Sequence, residues 1–147
     1  MALTLYTIGF TRTSAARFFG ALRLAGVRRL LDVRLHNTSQ LAGFAKRDDL
    51  AFFVAELLGG DYQEEPLLAP TEELLTAYRG RKLDWRCYST AFADLLVDRQ
   101  VEHHLPRHLF AGPTALLCSE ASADRCHRRL VAEHLSTTWG DLEIVHL

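Results

Sequence analysis

Thr114-Ala-Leu-Leu-Cys118 is a five-residue apolar run, and Ser119-Glu-Ala-Ser-Ala-Asp-Arg-Cys-His-Arg128 leads it into a helical pattern. Gly112-Pro113 makes a turn before the run. Asp124 can cap a helix from Arg125 to about Thr137. Trp139-Gly140-Asp141 turns the chain, and Leu142-Glu-Ile-Val-His146 reads as a closing strand. A short apolar strand, a helix and a second strand form the unit of a parallel sheet, in which both faces are covered and strands need no alternation.

The N-terminal part repeats this unit. Leu3-Thr-Leu-Tyr-Thr-Ile8 is strand-like and stops at Gly9. Thr11 to Ser14 offer caps for a helix to Ala25, with Phe18, Leu22 and Ala25 on one face and Gly26 as its stop. Val27 to Val33 is the second strand. Leu35 to Phe44 is polar and irregular, a loop. Lys46 to Leu58, Thr71 to Arg79 and Asp84 to Val97 then read as helices, and Pro106 interrupts the helical pattern of Asp98 to Leu109. The expectation is one α/β domain over residues 1–147, Rossmann-like. Its mostly parallel sheet has about four strands in the order 2-1-3-4, flanked by helices, with a helical insert in the middle.

The 147 residues are 48% hydrophobic, enough for a core at this length. The net charge of −1, from 17 basic and 18 acidic residues, argues against a general nucleic-acid coat or a membrane-surface protein. The apolar runs are too short to span a bilayer, and Met1 to Gly9 lacks the basic start of a signal peptide. Cysteines 87, 118 and 126 are an odd count, which suits a reduced, cytoplasmic setting.

The unusual residues fall where the strands end. Gly9, Thr11 and Arg12 follow the first strand, Asp32 and Arg34 close the second, and Glu120, Cys126, His127 and Arg128 follow the third. Ligands of open α/β sheets bind outside the carboxyl ends of the strands. Arg12, Arg34 and Arg128 beside a helix start would bind an anion, with Gly9 and Thr11 lining the site. Asp32 and Glu120 would serve as acid or base, and Cys126 or His127 as nucleophile or proton donor. A first-turn position among arginines should make Cys126 the most reactive thiol.

Structural readings compete. Asp32 and Arg34 could form an ion pair, Arg128 could be an exposed charge, and Cys118 could be core. No metal is expected: C-x-E-x5-C-H departs from zinc signatures, and adjacent helical residues diverge by about 100°. Cys118 and Arg125 are spaced Cys-x6-Arg, which does not fit a phosphatase loop. His104 and His108 read as surface histidines.

Thr7-Ile-Gly9, Asp32-Val-Arg34, Phe44-Ala-Lys46, Leu117-Cys-Ser-Glu120, Cys126-His-Arg128 and Val145-His146 together resemble the family called domain of unknown function 488, in order along nearly the whole chain. The C-x-E-x5-C-H-R element is the most specific part. The family usually follows Thr-Ile-Gly with His-Ser, where this chain has Phe10-Thr11. It also usually places Pro-x-Ser after Asp-Val-Arg, where this chain has His36-Asn-Thr-Ser39. The resemblance implies an α/β fold with a shared polar site and assigns no reaction.

The leading expectation is an enzyme acting on a phosphate-bearing ligand, a nucleotide or nucleic acid, in a cleft at the C-terminal edge of the sheet. The alternatives are a non-catalytic module binding nucleic acid or protein through that cleft, and a redox or metal site at Cys118 and Cys126. The residues name no cofactor.

Overall fold

A computed structural model describes residues 3–38 and 43–147. Five strands form one all-parallel sheet: β1 (Leu3–Gly9), β2 (Arg29–Asp32), β3 (Asp61–Glu64), β4 (Thr114–Cys118) and β5 (Leu142–His146). Their order is β3-β2-β4-β1-β5. Among the described residues six α-helices connect them: α1 (Ala15–Leu24), α2 (Arg47–Phe53), α3 (Glu72–Arg79), α4 (Trp85–Asp98), α5 (Val101–His104) and α6 (His127–Trp139). A π turn, Val54–Leu58, extends α2, so the helical pattern read from Lys46 to Leu58 is present with a change of pitch.

The sheet sorts its side chains by alternation. Ile8, Leu30, Ala115 and Leu117 face α1 and α2, where they meet Phe18, Leu22, Leu50 and Val54. Leu5, Leu31, Leu116 and Cys118 face α4 and α6, where they meet Phe92, Leu96, Val131 and Leu135. Every residue of β4 is buried, as a central parallel strand requires.

The observed order corrects the expected one. The strand at Thr114–Cys118 sits between β2 and β1, where the expectation set β1 beside β2. The site depends on this. The connections after β1 and β2 leave on one face and α6 leaves on the other, so the carboxyl end of β4 is flanked on both sides by chains diverging from it. β3 was not expected. Asp61-Tyr-Gln-Glu64 has no apolar pattern; it is an edge strand held by backbone pairing to β2. Gly60 admits it there, because a β-carbon at 60 would stand 1.7 Å from the Arg28 carbonyl oxygen.

Helix caps follow the sequence at three starts. Ser14, Thr71 and Asp84 accept from the amides of Arg17, Leu74 and Cys87. α6 differs: it begins at His127, Cys126 takes the cap position with no side-chain bond to the helix, and Asp124 lies outside it. Val101–His104 and a 3-10 turn at Arg107–Phe110 replace a continuous helix across Pro106. Positions 39–42 of the Leu35 to Phe44 loop, Ser39 included, lie outside the described residues.

Candidate functional site

At the carboxyl end of β4 a cavity of about 260 Å³ opens. Arg34, Leu35 and His36, after β2, form one wall. Cys118, Ser119 and Glu120 come from β4 and the following loop, and Arg125, Cys126 and His127 from the start of α6. Leu75, Tyr78 and Arg79 of α3 and Tyr88 of α4 close the fourth side. Tyr78 and Tyr88 stack with centroids 4.5 Å apart.

Arg34 is rigidly held. Its Nε and Nη2 donate to the Asp32 carboxylate at 2.8 and 2.7 Å, both side chains are buried, and the Arg34 amide donates to Asp32 as well. Tyr62 donates its hydroxyl to the same carboxylate. Burial opposes the charge on Arg34, but Asp32 outweighs it and lifts the guanidinium pKa above its ordinary value. Burial raises the Tyr62 phenol, so that it stays a donor. Among the described residues Arg34 Nη1 is buried without a hydrogen-bond partner. Asp32 is thus the structural partner of Arg34, and it does not line the cavity.

Phe10 is buried and lies under the Arg34 guanidinium at 5.2 Å. The departure from the family's His-Ser at this point therefore supplies an aromatic face to a buried cation. Thr11 donates its hydroxyl to the Ser119 carbonyl, and its amide donates there too, which ties the end of β1 to the loop after β4. Gly9 permits this approach: a β-carbon at position 9 would stand 1.6 Å from the Glu120 carbonyl oxygen.

Arg128 is fully buried, so it is not an exposed helix charge. Its Nε donates to the Thr7 hydroxyl, and its Nη1 to the Glu120 carbonyl and, at 3.7 Å, to Cys126 Sγ. Nη2 has no partner. Among the described residues no carboxylate pairs with it.

Cys118, Cys126 and His127 converge at the floor, their ligand-capable atoms all within 4.8 Å of one another. His127 Nε2 lies 2.7 Å from the Val33 carbonyl, which can only accept, so Nε2 carries a proton. Nδ1 faces Cys118 Sγ at 3.4 Å. Phe92 packs its ring at 5.5 Å and 76° to the imidazole. Burial lowers the His127 pKa and keeps the ring neutral.

Cys126 and the Ser119 and Glu120 amides lower the Cys118 pKa against the opposing effect of burial. Cys118 and burial raise Cys126. Cys126 is 3% exposed, and both effects run against the expectation that it is the most reactive thiol. The premise against a metal falls too. Cys126 is extended at φ −133°, ψ 139°, outside the helix, and the 100° divergence of helical neighbours does not apply to it.

Of the residues expected at the site, Arg34, Glu120, Cys126 and His127 line the cavity, whereas Gly9, Thr11, Arg12, Asp32 and Arg128 do not. Gly9, Thr11, Asp32 and Arg128 support the lining residues from behind, and Arg12 is exposed away from them with φ 58°. The sequence reading missed Arg79, Tyr78 and Tyr88, because nothing local reveals that α3 and α4 fold back over the sheet edge.

No helix among the described residues is long and apolar enough to cross a membrane. No curated protein and no solved structure matches the chain. The family model described as Domain of unknown function DUF488 matches residues 14–135. The match takes in α1 through most of α6, including the cavity-lining residues, and the chain belongs to that family.

Proposed function

We propose that this protein is an enzyme acting on a phosphate-bearing ligand, a nucleotide or a nucleic-acid end, in the cavity at the carboxyl end of β4. The observation that carries the reading is Arg34: a buried guanidinium, fixed by Asp32 and Phe10, with one amino group left unpartnered beside a cavity that Arg79 and Arg125 also line. A guanidinium fork matches phosphate oxygens, and a clamp already locked loses little freedom on binding. The stacked Tyr78–Tyr88 pair, on the wall that Arg79 shares, offers an aromatic surface for a base. Glu120, exposed at the mouth, can accept a proton, and His127, Cys118 and Cys126 supply chemistry at the floor.

Thermal shift and titration calorimetry with inorganic phosphate and nucleoside monophosphates test the reading. Stabilisation should follow the logarithm of ligand concentration above Kd. Arg79→Ala and Arg125→Ala should weaken it, and Arg12→Ala, outside the cavity, should leave it unchanged. Equal stabilisation in all four proteins, or none, would remove phosphate from the cavity.

A further inference from the structure

Cys118, Cys126 and His127 meet the requirements of a metal site, and each requirement rests on geometry. The ligand set is Cys2His, with three buried donor atoms within 4.8 Å of one another. Zn–S bonds of about 2.3 Å and a Zn–N bond of about 2.0 Å in a tetrahedron place sulfur and nitrogen about 3.5 Å apart and the two sulfurs about 3.8 Å apart. Cys118 Sγ and His127 Nδ1 stand at 3.4 Å. Cys126 Sγ lies within 4.8 Å of the other two donor atoms, within about 1 Å of tetrahedral spacing.

The surrounding groups fit as well. A metal-bound histidine ordinarily donates its second ring N–H to a carbonyl or carboxylate, which fixes the free nitrogen toward the ion. His127 does this through Nε2 to the Val33 carbonyl, leaving Nδ1 for the metal. Arg128 is completely buried and directs Nη1 at Cys126 Sγ at 3.7 Å, as a donor to a ligating sulfur would. Zinc with two thiolates and a neutral imidazole carries no net charge, so Arg128 acts here as a hydrogen-bond donor to sulfur and not as the partner of an ion pair.

We infer that Cys118, Cys126 and His127 bind one zinc ion, with a fourth coordination position open to the cavity. Sulfur donors with one imidazole select a borderline-soft ion such as Zn2+ over magnesium or calcium. All three ligands line the cavity, so the ion has a route in, and a fourth ligand can come from water or from a ligand in the cavity. Binding displaces the two thiol protons to solvent. Three protein ligands with an open position is the arrangement of catalytic rather than structural zinc. The metal site does not depend on the phosphate reading, because its ligands are distinct from Arg34, Arg79 and Arg125.

The test is elemental analysis of the full chain purified without chelator and then dialysed against zinc, together with the absorption spectrum of the cobalt-loaded protein. About one zinc per chain is expected, retained in Cys87→Ser and lost in Cys118→Ser and Cys126→Ser. Cobalt should give thiolate charge-transfer bands in the near ultraviolet and intense tetrahedral bands in the visible. The spectrum is read on the unmutated protein, so it decides the matter even if a cysteine variant does not fold. No zinc uptake, zinc retained without Cys118 and Cys126, or a weak octahedral cobalt spectrum would overturn the site. Phosphate binding by the metal-free protein, with no zinc uptake, would defeat this inference and leave the phosphate reading standing; zinc uptake without phosphate binding would do the reverse.

Discussion

Removing the Asp32 carboxylate should unfold this protein at a far lower temperature than an ordinary point substitution does. Asp32 and Arg34 bond twice, at 2.7 and 2.8 Å, with side-chain exposures of 0 and 3%. Asp32→Asn leaves the guanidinium buried opposite an amide, and it weakens the acceptor for Tyr62. Breaking one side of a buried pair costs about 3–5 kcal/mol, most of it from the cation left behind. For a chain of this length each kcal/mol moves the midpoint by about 2–4 °C, so a fall of roughly 6–20 °C is expected. Arg34→Met added to Asp32→Asn should recover much of the loss, because no charge then remains buried. Thermal and urea unfolding of the two single variants and the double variant measure the coupling. A loss below about 1 kcal/mol for Asp32→Asn, or strict additivity in the cycle, would show that the pair is solvated and that Arg34 is not the fixed clamp argued above.

Two further substitutions probe the scaffold. Gly9→Ala should cost at least about 1–3 kcal/mol by urea titration, because its β-carbon would meet the Glu120 carbonyl oxygen at 1.6 Å, whereas Gly20→Ala, in α1 with nothing within 4 Å, should gain about 0.5–1 kcal/mol. A neutral Gly9→Ala would mean that the β1 and β4 loops do not touch in solution. Phe92→Ala should cost about 3–5 kcal/mol and lower zinc uptake as well, since the ring is fully buried and holds the His127 imidazole edge-on. Unchanged stability would place Phe92 outside the core.

Much of what depended on periodicity and caps was legible in the sequence, the Asp124 cap excepted. Strands Thr114–Cys118 and Leu142–His146 have the boundaries read from their apolar runs, and Thr71 caps as expected. Strand order was not legible. β4 inserts between β2 and β1 because of how the long helical segment returns, and no local pattern encodes that. The polar edge strand β3 was hidden for a related reason, since its stability comes from backbone pairing to β2.

The site shows the same division, and with a chemical consequence. The sequence placed Arg34, Glu120, Cys126 and His127 at one sheet edge correctly, because parallel strands bring their ends together. It assigned their roles by local rules, and a shift of two residues in the start of α6, with the burial of Cys126, undid two of those assignments. Cys126 caps α6 and so still feels its positive end, but it is 3% exposed, and burial opposes that field. The same shift frees Cys126 from helical geometry and lets its sulfur meet Cys118 and His127. The residue that ties the two results together is Arg128. Read as a surface charge it explains nothing; buried, it donates Nη1 to the Cys126 sulfur and so helps to orient a group of this cluster.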